Sequence, residues 1–132
     1  MTLKTLLTLC CTLFAMALVP SSAQAEDGPY RHVVLFKFKD SSSKEDVQKV
    51  VKAFGALGAN KDLKITDFEW GTNTSPEGLN DGFTHCFFVT FANKADLEAY
   101  LPHKAHKAFV EVLKPHLDKV LVVDYIAKEK AE

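Results

Sequence analysis

Six side chains in this sequence are of types that could do acid–base chemistry together: Tyr100, His103, His106, His32, His85 and Asp124. Three of them fall in one short stretch, Tyr100-Leu101-Pro102-His103-Lys104-Ala105-His106, in a chain with five histidines. An imidazole titrates near neutrality and can take or give a proton, and a phenol can donate a hydrogen bond without losing its own. Phe109, Val110 and Leu113 stand three, four and seven positions beyond His106, which places His106 on the buried stripe of a helix. Periodicity gives no such burial to His103, which lies at the start of that helix beside the Pro102 break.

The elements that must position these groups can be read from alternation and punctuation. Tyr30 to Lys39 alternates as a strand, with His32, Val34, Phe36 and Phe38 on one face. Asp40-Ser41-Ser42-Ser43 supplies turn and N-cap chemistry for a helix carrying Val47, Val50, Val51, Phe54 and Leu57 on one stripe and ending at Gly58 and Asn60. Leu63 to Gly71 is a second strand, followed by a polar loop over Thr72 to Gly82. Phe83 to Phe91 is a third, with His85 sharing a face with Phe87 and Val89. Asn93 caps a short helix that Pro102 ends, and a further helix runs from Lys104 to Lys114. Lys119 to Lys128 is the last strand. There Asp124 sits between Val122 and Ile126, where a carboxylate is costly unless partnered, and an imidazole N–H is a natural partner.

The order β-α-β-β-α-α-β is that of an α+β, ferredoxin-like split βαβ: a four-stranded antiparallel sheet with helices on one face. The other face of such a sheet is polar when it meets water. Here the third and last strands are apolar on both faces, and the helices suffice for one. Pairing of two copies through the open sheet face, as a homodimer, is the economical way to cover the remainder.

Met1 to Ala25 reads as a cleaved signal peptide: Lys4, then a largely apolar run of fourteen residues from Leu6 to Val19, then Pro20-Ser21-Ser22 and Ala23-Gln24-Ala25. The run is short of the about 20 helical residues that span a bilayer, so no stable membrane anchor is expected. Cleavage leaves 26–132 as a single domain, exported to a periplasmic or extracellular compartment, with a formal charge of −2 once Lys4 is gone. That charge offers no nucleic-acid surface. Cys10 and Cys11 leave with the leader, so Cys86 has no internal disulfide partner and reads as a small buried hydrophobe among Phe87, Phe88 and Val89.

Tyr30-Arg31-His32-Val33-Val34-Leu35-Phe36-Lys37-Phe38-Lys39, Gly82-Phe83-Thr84-His85 leading to Val89-Thr90-Phe91, Tyr100 to His106, and Val123-Asp124-Tyr125 together resemble the stress-responsive dimeric α/β-barrel (Dabb) domain family. The resemblance covers nearly all of Tyr30 to Lys128. It implies two ferredoxin-like sheets packed into a barrel across a dimer. By analogy with a plant polyketide cyclase of the family, it implies cofactor-free acid–base chemistry on a carbonyl compound. His106 would be the general base, Tyr100 would polarise the carbonyl, and Asp124 would orient His106. His32 and His85 would line a pocket for a small hydrophobic or aromatic molecule, with His103 nearby. No cofactor and no metal is implied; a His103, His106, His85 and Asp124 metal set is disfavoured by the intervening Lys104 and Lys107. The alternative is a non-catalytic stress-related protein whose His/Asp/Tyr cluster only stabilises the fold.

Overall fold

The computed structural model describes residues 28–128, and the leader with its cleavage site lies outside them. The elements are β1 (Tyr30–Phe38), α1 (Lys44–Gly58), a 3-10 turn (Lys61–Leu63), β2 (Ile65–Thr72), β3 (His85–Phe91), α2 (Lys94–Tyr100), α3 (Lys104–Leu113) and β4 (Leu117–Ile126). The sheet order is β2-β3-β1-β4, antiparallel throughout. This is the expected α+β ferredoxin-like plan, with β3 starting two residues later and β4 two residues earlier than alternation suggests. Phe83 and Thr84 stay in the loop, although the Thr84 amide still donates to the Phe36 carbonyl.

Local chemistry sets the helix starts. Ser43 caps α1 through a capping box, in which its hydroxyl accepts from the Asp46 amide at 3.1 Å while the Asp46 carboxylate accepts from the Ser43 amide. Asn93 caps α2 more simply, its side-chain oxygen accepting from the Asp96 amide at 2.9 Å. Alternation along β1 and β3 then buries one face against the helices. Val34, Phe36, Phe87, Val89 and Phe91 meet Val50, Phe54 and Leu57 from α1, Leu97 and Tyr100 from α2, and Phe109 and Leu113 from α3. At the centre the Phe54 ring lies 4.4 Å from that of Phe87 and 4.5 Å from that of Phe109. Truncating such a ring costs about 3–5 kcal/mol.

The helices leave the middle of β4 uncovered, while Leu117 and Ile126 at its ends pack against the core. On the helix face Val120 and Val122 remain half exposed, and on the open face so do Leu121, Val123 and Tyr125. In-register pairing places Val33 beside both Phe88 and Val123, and Leu35 beside Cys86 and Leu121. A continuous apolar band therefore crosses the open face. Cys86, expected to be buried, lies half-buried in this band because its strand position faces away from the helices. Among the described residues no helix is long and apolar enough to cross a membrane.

Candidate active site between α3 and β4

Because α3 packs over β1 and stops short of β4, it leaves a cavity of about 330 Å³ against the sheet. Phe36, Phe109, Leu113, Val120 and Val122 make it apolar, while His32, His106 and Asp124 form a polar end. The sheet register orders this lining: His32 pairs with Asp124, Val34 with Val122, and Phe36 with Val120. At about 3.3 Å per residue, the Phe36–Val120 row lies about 13 Å from the polar row.

His32 is 5% exposed and its Nδ1 lies 2.6 Å from Asp124 Oδ1. A carboxylate only accepts, so Nδ1 carries the proton and Nε2 is the free nitrogen of the neutral ring. This corrects the expected pairing of Asp124 with His106. The two strands are neighbours and the two residues are directly opposite, whereas His106 reaches the cavity from the helix layer above.

The orienting group of His106 is instead a backbone carbonyl. Pro102 breaks the helix, so the Leu101 carbonyl does not receive the Ala105 amide that a continuous helix would offer it; that amide donates to His103 Nδ1 at 3.1 Å. The freed Leu101 oxygen accepts from His106 Nδ1 at 2.8 Å. Neutral His106 thus carries its proton on Nδ1 and keeps Nε2 as a base. Burial holds its pKa below the ordinary histidine value, with a further push from His32, against the opposing effect of the Leu101 carbonyl.

Tyr100 is 1% exposed, and its ring lies 4.5 Å from that of His106 and 6.1 Å from that of His32. Its hydroxyl is buried with no hydrogen-bond partner among the described residues. Burial raises its pKa strongly, which keeps it a proton-bearing donor. Unpartnered buried hydroxyls are uncommon and cost about 1–3 kcal/mol. The ring packs behind the imidazoles and is not itself part of the cavity lining.

The other two candidate histidines go elsewhere. His103 is the N-cap of α3 and does not line this cavity. His85 shares the helix face but lies two paired rows from His32, opposite Phe36, and packs against Phe38 at 5.0 Å and Trp70 at 6.3 Å, with Nδ1 2.8 Å from the Thr84 hydroxyl. Its expected place in the same pocket as His106 is therefore not what the fold gives it. The four side chains weighed as a metal set consequently do not converge. The roles that sequence reasoning missed are the Leu101 carbonyl, whose signal was Pro102, and the His32–Asp124 contact, whose signal was the antiparallel register of the first and last strands.

A ferredoxin-like sheet whose His/Tyr cluster sits under a broken α2–α3 connection defines a class, and comparison with known proteins narrows it. The model of the Stress responsive A/B Barrel Domain matches residues 30–127. The chain belongs to that family. It is 40% identical over 98 residues to the Stress-response A/B barrel domain-containing protein HS1 of Arabidopsis thaliana, covering 74% of this chain and 89% of that one. It is 27% identical over 99 residues to the olivetolic acid cyclase of Cannabis sativa, covering 75% and 97%. Among solved structures, the hydroxynitrile lyase of Passiflora edulis superposes with a TM-score of 0.71 at 25% identity, covering 80% and 99%. A dimeric protein of ferredoxin-like fold and unknown function from Bacteroides fragilis does so with 0.61 at 28%, covering 76% and 97%.

Proposed function

We propose that this is an exported homodimeric barrel protein whose helix-side cavity binds a small molecule with a carbonyl head and an apolar tail. There, cofactor-free acid–base chemistry is done by His106 and Tyr100. The observation that carries the reading is a pairing of opposite proton states across one end of an apolar cavity, with His106 in the lining and Tyr100 packed directly behind it. His106 is a neutral base with Nε2 free, and Tyr100 beside it is a protonated phenol with an unsatisfied hydroxyl. Once a shift of the His106 ring opens that hydroxyl to the cavity, a carbonyl oxygen accepting from it would satisfy it, and Nε2 would remove the proton on the neighbouring carbon. The phenol would then stabilise the enolate as its charge develops. Asp124 holds the tautomer of His32 at the wall of the same cavity. The names of two relatives, a cyclase and a hydroxynitrile lyase, are in keeping with acid–base work at an oxygen-bearing carbon.

Dimerisation is supported by the uncovered apolar band on the open face and by the dimeric relative. Export is supported by the leader-like sequence of residues 1–25 alone.

The test is deuterium exchange at the carbon next to the carbonyl of a medium-chain methyl ketone, followed by NMR in heavy water. The protein should accelerate exchange saturably. His106→Ala should lower the rate on the order of 100-fold, with Tyr100→Phe also losing rate. No acceleration, or a His106→Ala rate equal to that of the parent, overturns the reading. The second reading, a cluster that only stabilises the fold, is favoured by the His103 cap and the His32–Asp124 contact. It requires that His106→Ala lose stability while every ligand interaction is kept.

A further inference from the structure

A second, larger hollow of about 660 Å³ lies on the opposite side of the sheet from His106. Its floor is one in-register row across all four strands, Gly71, Cys86, Leu35 and Leu121. The next row toward Tyr30 is larger, with Glu69, Phe88, Val33 and Val123. The hollow thus comes from Gly71 and Cys86, where the floor has no side chain and then a short one. A Cβ built at Gly71 meets nothing within 4 Å.

Its wall is the loop between β2 and β3. Gly78 at φ +70° and Gly82 at φ +79° give that loop its left-handed turns, and Gly82 packs so closely on Lys37 that a Cβ there would sit 2.9 Å from Cε. Asp81 then reaches across to Lys119 on β4 at 3.5 Å. The loop is a strap over one end of the open face, presenting Leu79 and Phe83 to the hollow.

We propose that this cleft is a separate binding site for a neutral, predominantly apolar small molecule. The charge pattern selects that class, since the one carboxylate in its lining, Asp81, is already matched by Lys119. His85 at its margin is held neutral by burial, which lowers its pKa. A second copy laid on the apolar band would roof the cleft and retain the occupant. The site does not depend on the chemistry at His106.

The probe is N-phenyl-1-naphthylamine, an uncharged dye that brightens in apolar surroundings, titrated into the full-length protein. A saturable component is expected that Gly71→Leu, whose side chain fills the open space on the floor, weakens at least tenfold. Ketone exchange in Gly71→Leu should stay within about twofold of the parent. Val122→Phe, which narrows the helix-side cavity, should leave that component in place. Asp81→Asn should speed release of the dye by unlatching the strap. Saturable binding unchanged by Gly71→Leu overturns the proposal. So does a Gly71→Leu protein that is folded but monomeric when the parent dimer binds no dye in this component, because the partner's side chains would then fill the cleft. Loss of ketone exchange in His106→Ala with the dye component intact would separate the two sites.

Discussion

The contact between His32 and Asp124 can be tested against the rival pairing with His106 by double-mutant cycles. His32 is almost fully buried, the N–O distance is 2.6 Å, and the acceptor is a carboxylate. Charge-assisted hydrogen bonds contribute about 1.5–3 kcal/mol. The Asp124 side chain is 32% exposed, so solvent screens the contact and lowers that contribution to about 1–2 kcal/mol. Asp124→Ala and His32→Leu, alone and combined, should therefore show a coupling of about 1–2 kcal/mol. The cycle of Asp124→Ala with His106→Ala should give less than about 0.5 kcal/mol, because His106 Nδ1 is committed to the Leu101 carbonyl. Urea unfolding at one fixed protein concentration, followed by the fluorescence of Trp70, the single tryptophan, is the assay. With a slope of about 1–2 kcal/mol/M, the single Asp124→Ala change should lower the midpoint by about 1 M. A larger coupling between His106 and Asp124 than between His32 and Asp124 would refute the assignment, and with it the tautomer given to each ring.

Three further outcomes follow from the geometry. Both His106 and His85 have folded pKa values below the ordinary 6.5, so just below pH 6.5 the unfolded chain binds more protons than the folded one. Stability should fall as pH drops below 6.5 and level off once both rings are protonated in the folded state, and the acid limb of ketone exchange should have its midpoint below 6.5; a midpoint above it contradicts a buried base. Val123→Asp puts a charge in the centre of the apolar band on the open face, and sedimentation should find it monomeric at concentrations where the parent is a dimer. Gly58→Ala would place a Cβ 2.6 Å from Phe68 Cγ, where α1 meets β2, so thermal unfolding should show a loss of about 1–3 kcal/mol despite the better helix propensity of alanine.

Much of this architecture is written in local pattern. The alternation His32-Val34-Phe36 on one side and Val33-Leu35 on the other, the Ser43 box, the Asn93 cap and the Pro102 break each act over a few residues, and each places its element where the fold has it. The apolar character of both sides of the last two strands likewise announced, without any coordinates, that one sheet face lacks a cover. The gathering of Tyr100, His106, His32 and Asp124 on one side of the sheet was also legible, since faces follow from period 2 and period 3.6. Which of them touch was not. Strand alternation fixes the side on which Asp124 points but leaves open its partner along that side, and only the register of β1 with β4 put it opposite His32. The fate of His85 was decided in the same way, two rows along, against Phe38 and Trp70. His106 took the carbonyl that Pro102 had released, a contact that requires the helix break to close in three dimensions before the acceptor exists. Sequence determined which groups share a layer; pairing distances, set by register and by the reach of one helix over an edge strand, decided what those groups can do to one another.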